Sequence, residues 1–277
     1  MKGTCAPNTS NNYEETCYDS YALISMRNNW NKRNKDNIID TTDPLEIWKK
    51  FKHILNDSCD IESCWLKNEA IRQDLDRDIL NYTFSPEKPS SWEKKPYTWL
   101  NSNDIKNVMK QYENAHKNFK FIGPSPIDYD SEDYYDKETC VWPELCKFSL
   151  LHHIKNNVNT IGIIFNLDKH TESGSHWCCM FLDLRKKHLY YFDSYGKPIH
   201  INMKRLGNDI LEQGRRCNTP LTFIKLKNEH QKKNSECGIY CLYFITSLLQ
   251  EKHDYLHFEN NRIPDDEIFK YRSVFFS

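Results

Sequence analysis

The sequence lacks a large net charge, a long apolar run and a signal peptide, and each absence excludes a class of protein. Its 38 Lys and Arg residues nearly balance its 39 Asp and Glu residues, so the basic excess typical of nucleic-acid-binding proteins is missing. The most apolar stretches, Ile161–Phe165 and Cys178–Leu182, are far too short to span a bilayer. The N-terminal residues are polar and lack the apolar segment of a signal peptide. We therefore expect a soluble protein that is synthesised in the cytosol and does not bind membranes.

Cysteine, by contrast, is abundant, with eleven residues. Because no signal peptide directs the chain to an oxidising compartment, the sequence predicts mostly free thiols, metal ligands or a catalytic thiol. Cys178, Cys179 and Cys241 lie in apolar segments and are predicted core residues. Cys178 and Cys179 are consecutive in a predicted strand, so they should point to opposite faces of a sheet.

The chain divides by its pattern into three parts. Residues 1–16 are polar and are predicted to be disordered, residues 17–90 to form a helical N-terminal arm domain, and residues 91–277 to form a catalytic domain. Three prolines in residues 84–96 indicate the linker that separates the two domains. Apolar residues recur at helical spacing in the arm: Leu45, Trp48, Phe51 and Leu55, then Ile71, Leu75, Ile79 and Leu80.

The second domain combines a leading helix with several strands. Helix-capping residues at 101–104 precede an apolar face with helical spacing. Strands are predicted at 160–167, 176–184, 188–193 and 221–226, and an amphipathic helix begins at Cys237. Strands followed by a helix predict an α+β fold.

Cys237 is the candidate nucleophile of this domain. It lies where a loop enters the predicted helix, and there the unpaired backbone N–H groups and the helix dipole favour the thiolate anion. Gly238 follows, and because it has no Cβ it lets the backbone come close to a substrate. Taken alone, a buried structural cysteine at a helix start would explain the same local pattern.

A nucleophilic cysteine needs a base in contact with it and an acceptor that orients the base. His176 opens a predicted strand, and Asp193 ends the next one. If these strands form a hairpin, both side chains lie at one end of the sheet, and the carboxylate can accept from Nδ1–H of His176. Gln231, six residues before Cys237, is a candidate donor to an oxyanion, together with the backbone N–H of Cys237. Taken singly, His176 is one of eleven histidines and Asp193 is a common turn residue.

Together these motifs resemble the ubiquitin-like (SUMO-type) protease family and its adenovirus-protease relatives. The order His-Trp, Phe-Asp-Ser and Gln-x5-Cys-Gly-Ile-Tyr matches, and the resemblance covers about residues 97–277. It implies a papain-like core with a central mixed sheet flanked by helices. It also implies the roles of four residues: His176 as base, Asp193 as its orienter, Cys237 as nucleophile and Gln231 as oxyanion donor.

Two tryptophans extend the resemblance to the substrate. In SUMO-type enzymes the residues that match Trp99 and Trp177 form a narrow tunnel that admits Gly-Gly, since no side chain fits between the rings. Core packing is an alternative or additional role for both. The family's Trp-Leu-Asn-Asp reads Trp99-Leu-Asn-Ser102 here, and the lost carboxylate points away from a genuine SUMO tail.

Motifs in the N-terminal region, followed by one within the catalytic domain, resemble the polyprotein proteases of large cytoplasmic DNA viruses such as African swine fever virus. Trp30-Asn31, Cys59–Trp65 and Pro126–Asp128 carry this likeness. It implies a helical arm ahead of the protease core and a cysteine endopeptidase that needs no cofactor or metal. Its expected substrates are viral core and capsid precursors, cut after Gly-Gly during virion maturation in the virion and the host cytoplasm.

Four alternatives remain open from the residues. A protease of ubiquitin-like protein tails would use the same site, and a binder of such tails or of capsid proteins would need no chemistry. A structural zinc module would draw its ligands from Cys59, Cys64, Cys140, Cys146, His152 and His153, at spacings looser than those of zinc fingers. A nucleic-acid surface would use Arg215, Arg216, Lys225, Lys227, Lys232 and Lys233, although a solvated face explains this cluster equally.

Overall fold

The structure, a computed structural model, describes residues 4–7, 13–133 and 136–277. The chain divides into two compact units: residues 1–88 with Ser273–Ser277, and Pro89–Arg272. The C-terminal residues Ser273–Ser277 are thus part of the same compact unit as the arm. The sequence pattern instead predicts them as part of the catalytic domain. Across the described ranges, no helix is both long and apolar enough to cross a membrane.

The first unit is mainly helical. Asp19 and Asp43 cap its first two helices, each by accepting a hydrogen bond from the backbone N–H three residues on. The predicted spacing of Ile71 and Ile79 falls in two short helices instead of one, because the chain turns between them with Asp74 at a φ of 65°. The helices are α1 (Ser20–Arg33), α2 (Pro44–Ile54), α3 (Glu69–Arg72) and α4 (Arg77–Tyr82), with a 3-10 helix at Glu62–Lys67.

A buried carboxylate holds the start of the described chain in this unit. Glu62 accepts hydrogen bonds from Thr16 Oγ1, Cys17 N and Trp48 Nε1 at 2.5, 3.0 and 3.0 Å. Ala6 N donates to the Thr83 carbonyl at 3.1 Å. The predicted disordered tail is therefore corrected for residues 4–7 and 13–16, which pack in the unit because these polar groups find buried partners. The remainder of that predicted tail lies outside the described residues.

Six cysteines form disulfides, which corrects the expectation of mostly free thiols. The pairs are Cys5–Cys17, Cys59–Cys64 and Cys140–Cys146. The last two pairs are the cysteines of the zinc alternative. Since a disulfide sulfur is not a thiolate, they are not available as zinc ligands in this state. Five cysteines are free: Cys178, Cys179, Cys217, Cys237 and Cys241.

The second unit is built on a mixed sheet of five described strands in the order β1-β2-β3-β4-β5. The outer pairs β1–β2 and β4–β5 are parallel, and β2–β3 and β3–β4 are antiparallel. The strands are β1 (Phe119–Pro126), β2 (Thr160–Asn166), β3 (Trp177–Asp183), β4 (His188–Phe192) and β5 (Thr222–Lys225). The predicted α+β class is confirmed.

Helices cover both faces of this sheet. On one face Cys178 and Met180 share a core with Met203 of α8, and on the other Phe192 stacks on Phe244 of α9 with ring centroids 4.5 Å apart. The helices of the unit are α5 (Ser102–Ala115), α6 (Pro143–Cys146), α7 (Leu150–Lys155), α8 (Ile201–Arg216), α9 (Cys237–Leu249), α10 (Tyr255–Asn260) and α11 (Asp265–Lys270). A short helix α12 (Arg272–Phe275) begins on the last residue of the unit.

Candidate active site

The β3–β4 hairpin brings His176 and Asp193 together, as predicted. The strands pair antiparallel with Cys179 opposite Phe192, so the residue before β3 and the residue after β4 lie at the same sheet end. His176 Nε2 lies 3.1 Å from Asp193 Oδ1. The predicted contact through Nδ1 is wrong: the carboxylate meets Nε2, which leaves Nδ1 as the ring nitrogen for Cys237.

The Asp193 carboxylate is buried and held from several sides. Its Oδ1 also accepts the Tyr195 backbone N–H at 2.7 Å, and its Oδ2 lies 3.5 Å from the Tyr191 hydroxyl. A carboxylate fixed in this way gives the His176 ring one orientation. The Tyr195 ring lies over the imidazole with ring centroids 4.9 Å apart, which further limits the rotation of His176.

Electrostatics favour the protonated form of His176. Burial acts to lower the pKa of this imidazole, but hydrogen bonds to Asp193 and Cys237, together with the negative charges of both, raise it to about 9. A protonated ring beside a cysteine sulfur is the arrangement in which a thiol protease holds both its nucleophile and the proton that a leaving amine needs.

Cys237 is the first residue of α9 and is 2% exposed. Its position at a helix N-terminus agrees with the prediction, but the predicted amphipathic character of the helix is wrong. Every residue of α9 is buried, because the helix packs between the sheet and the short C-terminal helices of the unit. The nucleophile candidate therefore stands on a rigid element of the core.

A buried ion pair that the sequence analysis missed holds the residue before Cys237. Arg272 binds both carboxylate oxygens of Glu236 at 2.9 Å and donates to the Thr98 carbonyl at 2.9 Å. Its guanidinium also lies 4.3 Å from the centroid of the Trp92 ring. Arg272 thus joins the segment that carries Trp99 to the start of α9. No local signal could have revealed the pair, because its partners are 36 residues apart.

Gln231 is fully buried in the loop that leads to Cys237. Its Oε1 accepts from the Ser194 hydroxyl at 2.6 Å, and its Nε2 donates to the Lys233 carbonyl at 2.6 Å. Tyr195 donates its hydroxyl to the same carbonyl at 3.0 Å. The loop thus carries a buried side-chain amide that is hydrogen-bonded at both ends, and one N–H of that amide remains after the bond to Lys233.

The two tryptophans differ in exposure. Trp99 is 41% exposed, whereas Trp177 is buried and donates its Nε1–H to the Leu100 carbonyl at 3.0 Å. A Cβ on Gly238 would lie 3.2 Å from Leu100 Cβ and 3.3 Å from Trp177 Cδ1. The glycine therefore lets the first turn of α9 approach the Trp177 ring, a protein contact that differs from the close substrate approach expected for it.

The alternative sites find little support in the described residues. Within ranges 4–7, 13–133 and 136–277, no three His, Cys, Asp or Glu side chains are grouped so that they could hold a metal ion. Four members of the basic cluster pair with carboxylates: Arg215 and Arg216 with Glu212, Lys232 with Glu229, and Lys233 with Asp266. A solvated, charge-balanced face accounts for these residues.

Relatives of the chain are viral proteases. One relative is the protein R355 of Acanthamoeba polyphaga mimivirus, which is named as a thiol protease. It is 31% identical over 296 residues, which cover 98% of this chain and 92% of the relative. The chain belongs to this family of viral thiol proteases. The SUMO-1 cysteine protease S273R of African swine fever virus is 33% identical over 129 residues, 44% of this chain and 46% of the relative. No protein-family model matches the chain.

The fold of the protease agrees with that family. The crystal structure of the African swine fever virus pS273R protease superposes with a TM-score of 0.70 at 22% identity, over 99% of this chain and 96% of that one. The resemblance to viral SUMO-type proteases is therefore confirmed, and so is the prediction that the protein is a cysteine protease. The roles of individual residues stay predictions.

The pH dependence of cleavage should report the pKa of His176. Activity should fall as the pH rises through about 9, because the imidazolium that protonates the leaving amine is lost there. Since this pKa lies above the ordinary value of 6.5, the pair also stabilises the fold fully below pH 6.5, and that contribution disappears as the pH approaches 9. A profile of kcat/KM against pH measures the first effect.

Asp193→Asn should move this basic limb to lower pH, because it removes a charge that raises the pKa of His176. Asp128→Asn is a matched control, since Asp128 also contacts a histidine, His170, at 2.7 Å. The control should leave the limb in place. A limb that stays at the same pH in Asp193→Asn would contradict the proposed pairing.

Proposed function

We propose that this protease cleaves after Gly-Gly in the core and capsid precursors of a virus during virion maturation, in the virion and the host cytoplasm. One observation carries the Gly-Gly part: the packing of Trp177 and Leu100 against Gly238, the residue next to the candidate nucleophile. The membership of the chain in a family of viral thiol proteases supports a viral precursor as substrate.

The tryptophan positions support the proposed preference for glycine. Trp177 is tied through its Nε1 to Leu100, and Leu100 is the neighbour of the exposed Trp99. One indole is thus fixed beside the first turn of α9, and the segment that bears the other is fixed to it. A side chain on either of the last two substrate residues would have to displace these rings, whereas glycine adds no atoms there.

In the proposed reaction, Cys237 and His176 act as a thiolate–imidazolium pair. The Cys237 thiolate attacks the carbonyl carbon of the second glycine, and a C–S bond forms while the carbonyl oxygen becomes an oxyanion. The oxyanion accepts from the Gln231 amide and the Cys237 backbone N–H. As the C–N bond breaks, the His176 imidazolium gives its proton to the leaving amine. His176 then deprotonates a water that attacks the thioester carbonyl. The C–S bond breaks, which releases the acid and restores the Cys237 thiolate and the His176 imidazolium.

Gln231→Ala should lower kcat roughly 10²-fold, because a single oxyanion donor contributes about 3 kcal/mol to the transition state. KM should change little, since the donor acts on charge that develops during the reaction. Steady-state kinetics on a fluorogenic Gly-Gly peptide measures both constants. A kcat within twofold of the wild type would exclude Gln231 from the oxyanion site.

The substrate class is tested with three fluorogenic peptides that differ only before the scissile bond: Gly-Gly, Gly-Ala and Ala-Gly. The proposal expects each added methyl group to lower kcat/KM by roughly 10- to 200-fold. Trp99→Ala should reduce this discrimination, because Trp99 is exposed and its truncation removes one of the two proposed glycine-selecting rings without damage to the core. Leu151→Ala, which truncates another exposed apolar side chain, is the control. Equal cleavage of all three peptides would contradict the proposal.

A protease of ubiquitin-like protein tails is a second candidate, favoured by the name of the African swine fever virus relative. The absent carboxylate at Ser102 argues against it. To distinguish the two candidates, the enzyme is incubated separately with C-terminally extended SUMO, with C-terminally extended ubiquitin, and with viral core and capsid precursors. Cleavage of the precursors with new N-termini after Gly-Gly supports the main proposal. Exclusive cleavage of the extended SUMO or ubiquitin supports the second candidate instead.

A further inference from the structure

Ser194 occupies a position between the two halves of the candidate site. It is fully buried and follows Asp193, the partner of the base. Its hydroxyl donates to Gln231 Oε1 at 2.6 Å, and its carbonyl accepts the backbone N–H groups of His230 and Gln231 at 2.9 and 2.8 Å. One residue therefore binds both the side chain and the backbone of the candidate oxyanion donor.

The contacts of Gln231 determine which end of its amide is the nitrogen. The Lys233 carbonyl, 2.6 Å from the amide, can only accept, so the atom that faces it must be Nε2. The atom that faces Ser194 is then Oε1, and the serine hydroxyl is its donor. The amide thus has one orientation, in which its second N–H is directed away from Lys233.

The loss of the Ser194 hydroxyl would remove the bond that holds Oε1. The buried oxygen would then be left without its donor, and rotation of the amide would turn the second N–H away from the proposed position of the oxyanion. The loss would leave Asp193 Oδ1 with its two donors, His176 Nε2 and Tyr195 N. The base and the oxyanion donor can therefore be perturbed separately, although their supports are consecutive residues.

We propose that Ser194 is a positioning residue that orients the Gln231 amide towards the oxyanion. This inference rests on the proposed function of the site, in which Gln231 is the oxyanion donor. Ser194 touches neither the nucleophile nor the base in this scheme and acts only through Gln231. Substitution of Ser194 should therefore lower kcat only when the Gln231 side chain is present.

A double-mutant cycle tests this dependence with Ser194→Ala, Gln231→Ala and the combined variant. Ser125→Ala is the matched control, because Ser125 is also a buried serine of the same unit but donates to the Pro126 carbonyl. Two substrates are used, a fluorogenic Gly-Gly amide and the p-nitrophenyl ester of N-acetylglycine. Alkylation of Cys237 by iodoacetamide, followed across pH, serves as a second readout because this reaction forms no oxyanion.

Ser194→Ala should lower kcat about 10-fold with KM within twofold, and should have no further effect when Gln231 is already alanine. The alkylation rate and its pH profile should match those of the wild type. Equal losses in both Gln231 backgrounds, an unchanged kcat or a shifted alkylation profile would overturn the proposal. If the wild type hydrolyses the ester but not the Gly-Gly amide, the proposed substrate class fails. The cycle on the ester still decides the role of Ser194.

Discussion

Cys237→Ala is expected to abolish peptide-bond cleavage, with a loss of kcat of about 10⁶-fold, while the protein stays folded. No other group in the proposed site can form the acyl intermediate, so the residual rate should be that of water attack helped by the remaining hydrogen-bond donors. The change removes one buried sulfur atom from the start of α9 and should cost about 1 kcal/mol in the free energy of unfolding. Single-turnover kinetics and thermal unfolding measure the two effects.

Cys217→Ala is the matched control for this variant. Cys217 is also a free cysteine of the catalytic unit, and it is more exposed than Cys237. The control should retain full activity, because Cys217 caps the end of α8 and has no contact with His176 among its described bonds. Activity that survives in Cys237→Ala, or is lost in Cys217→Ala, would contradict the assignment of the nucleophile.

His176→Ala should be nearly as damaging as the loss of Cys237. The imidazole contacts both Asp193 and Cys237, and its replacement removes the proton carrier and the counter-charge of the thiolate together. Because the nucleophile and the base act as a unit, the double variant His176→Ala, Cys237→Ala should be no slower than either single variant. The same single-turnover assay measures all three proteins.

His170→Ala separates the loss of a catalytic base from the loss of any histidine–aspartate pair. His170 binds Asp128 at 2.7 Å and is about one-third exposed, and its described hydrogen bonds involve Asp128 alone. The His170→Ala variant should keep near-normal turnover.

Additive losses in the double variant of His176 and Cys237 would show that the two residues do not share one step.

The hairpin and the nucleophile helix could be predicted because their signals are local. Residues 176–184 and 188–193 are short β-rich runs joined by a basic turn, and antiparallel pairing then fixes which residues meet at each end. An apolar run after a polar loop predicts the helix that begins at Cys237. Its burial on all sides was not foreseen, since that depends on which elements surround it.

The sequence pattern does not predict strand β1 or helix α8, and local residues explain why. β1 contains Gly123, Pro124 and Pro126, residues that disfavour strands, and its register shifts between Ile122 and Ser125. α8 carries Gly207 and Gly214 in its interior, which weaken a helical pattern. Gly207 is needed there because a Cβ would lie 2.3 Å from the Phe223 ring. Tertiary packing, rather than local preference, decides these elements.

The candidate site was predicted as a set of residue types and not as a geometry. Which nitrogen of His176 meets Asp193 depends on ring orientation, which sequence spacing does not encode. Ser194 has no distinguishing signal in the sequence beyond its place in the Phe-Asp-Ser motif, and its hydroxyl acquires a partner when the loop of Gln231 folds against it. The disulfides were missed because the inference relied on the expected compartment and not on proximity.

Competitive alkylation tests most directly whether His176 activates the Cys237 thiol. Limited iodoacetamide treatment at pH 6.5 is followed by peptide mass mapping of Cys237 and Cys217. Accessibility alone favours Cys217, because Cys237 is only 2% exposed. Activation by His176 predicts that Cys237 is modified first in the wild type and that His176→Ala reverses the order. Modification of Cys217 first in the wild type, or an unchanged order in His176→Ala, would contradict it.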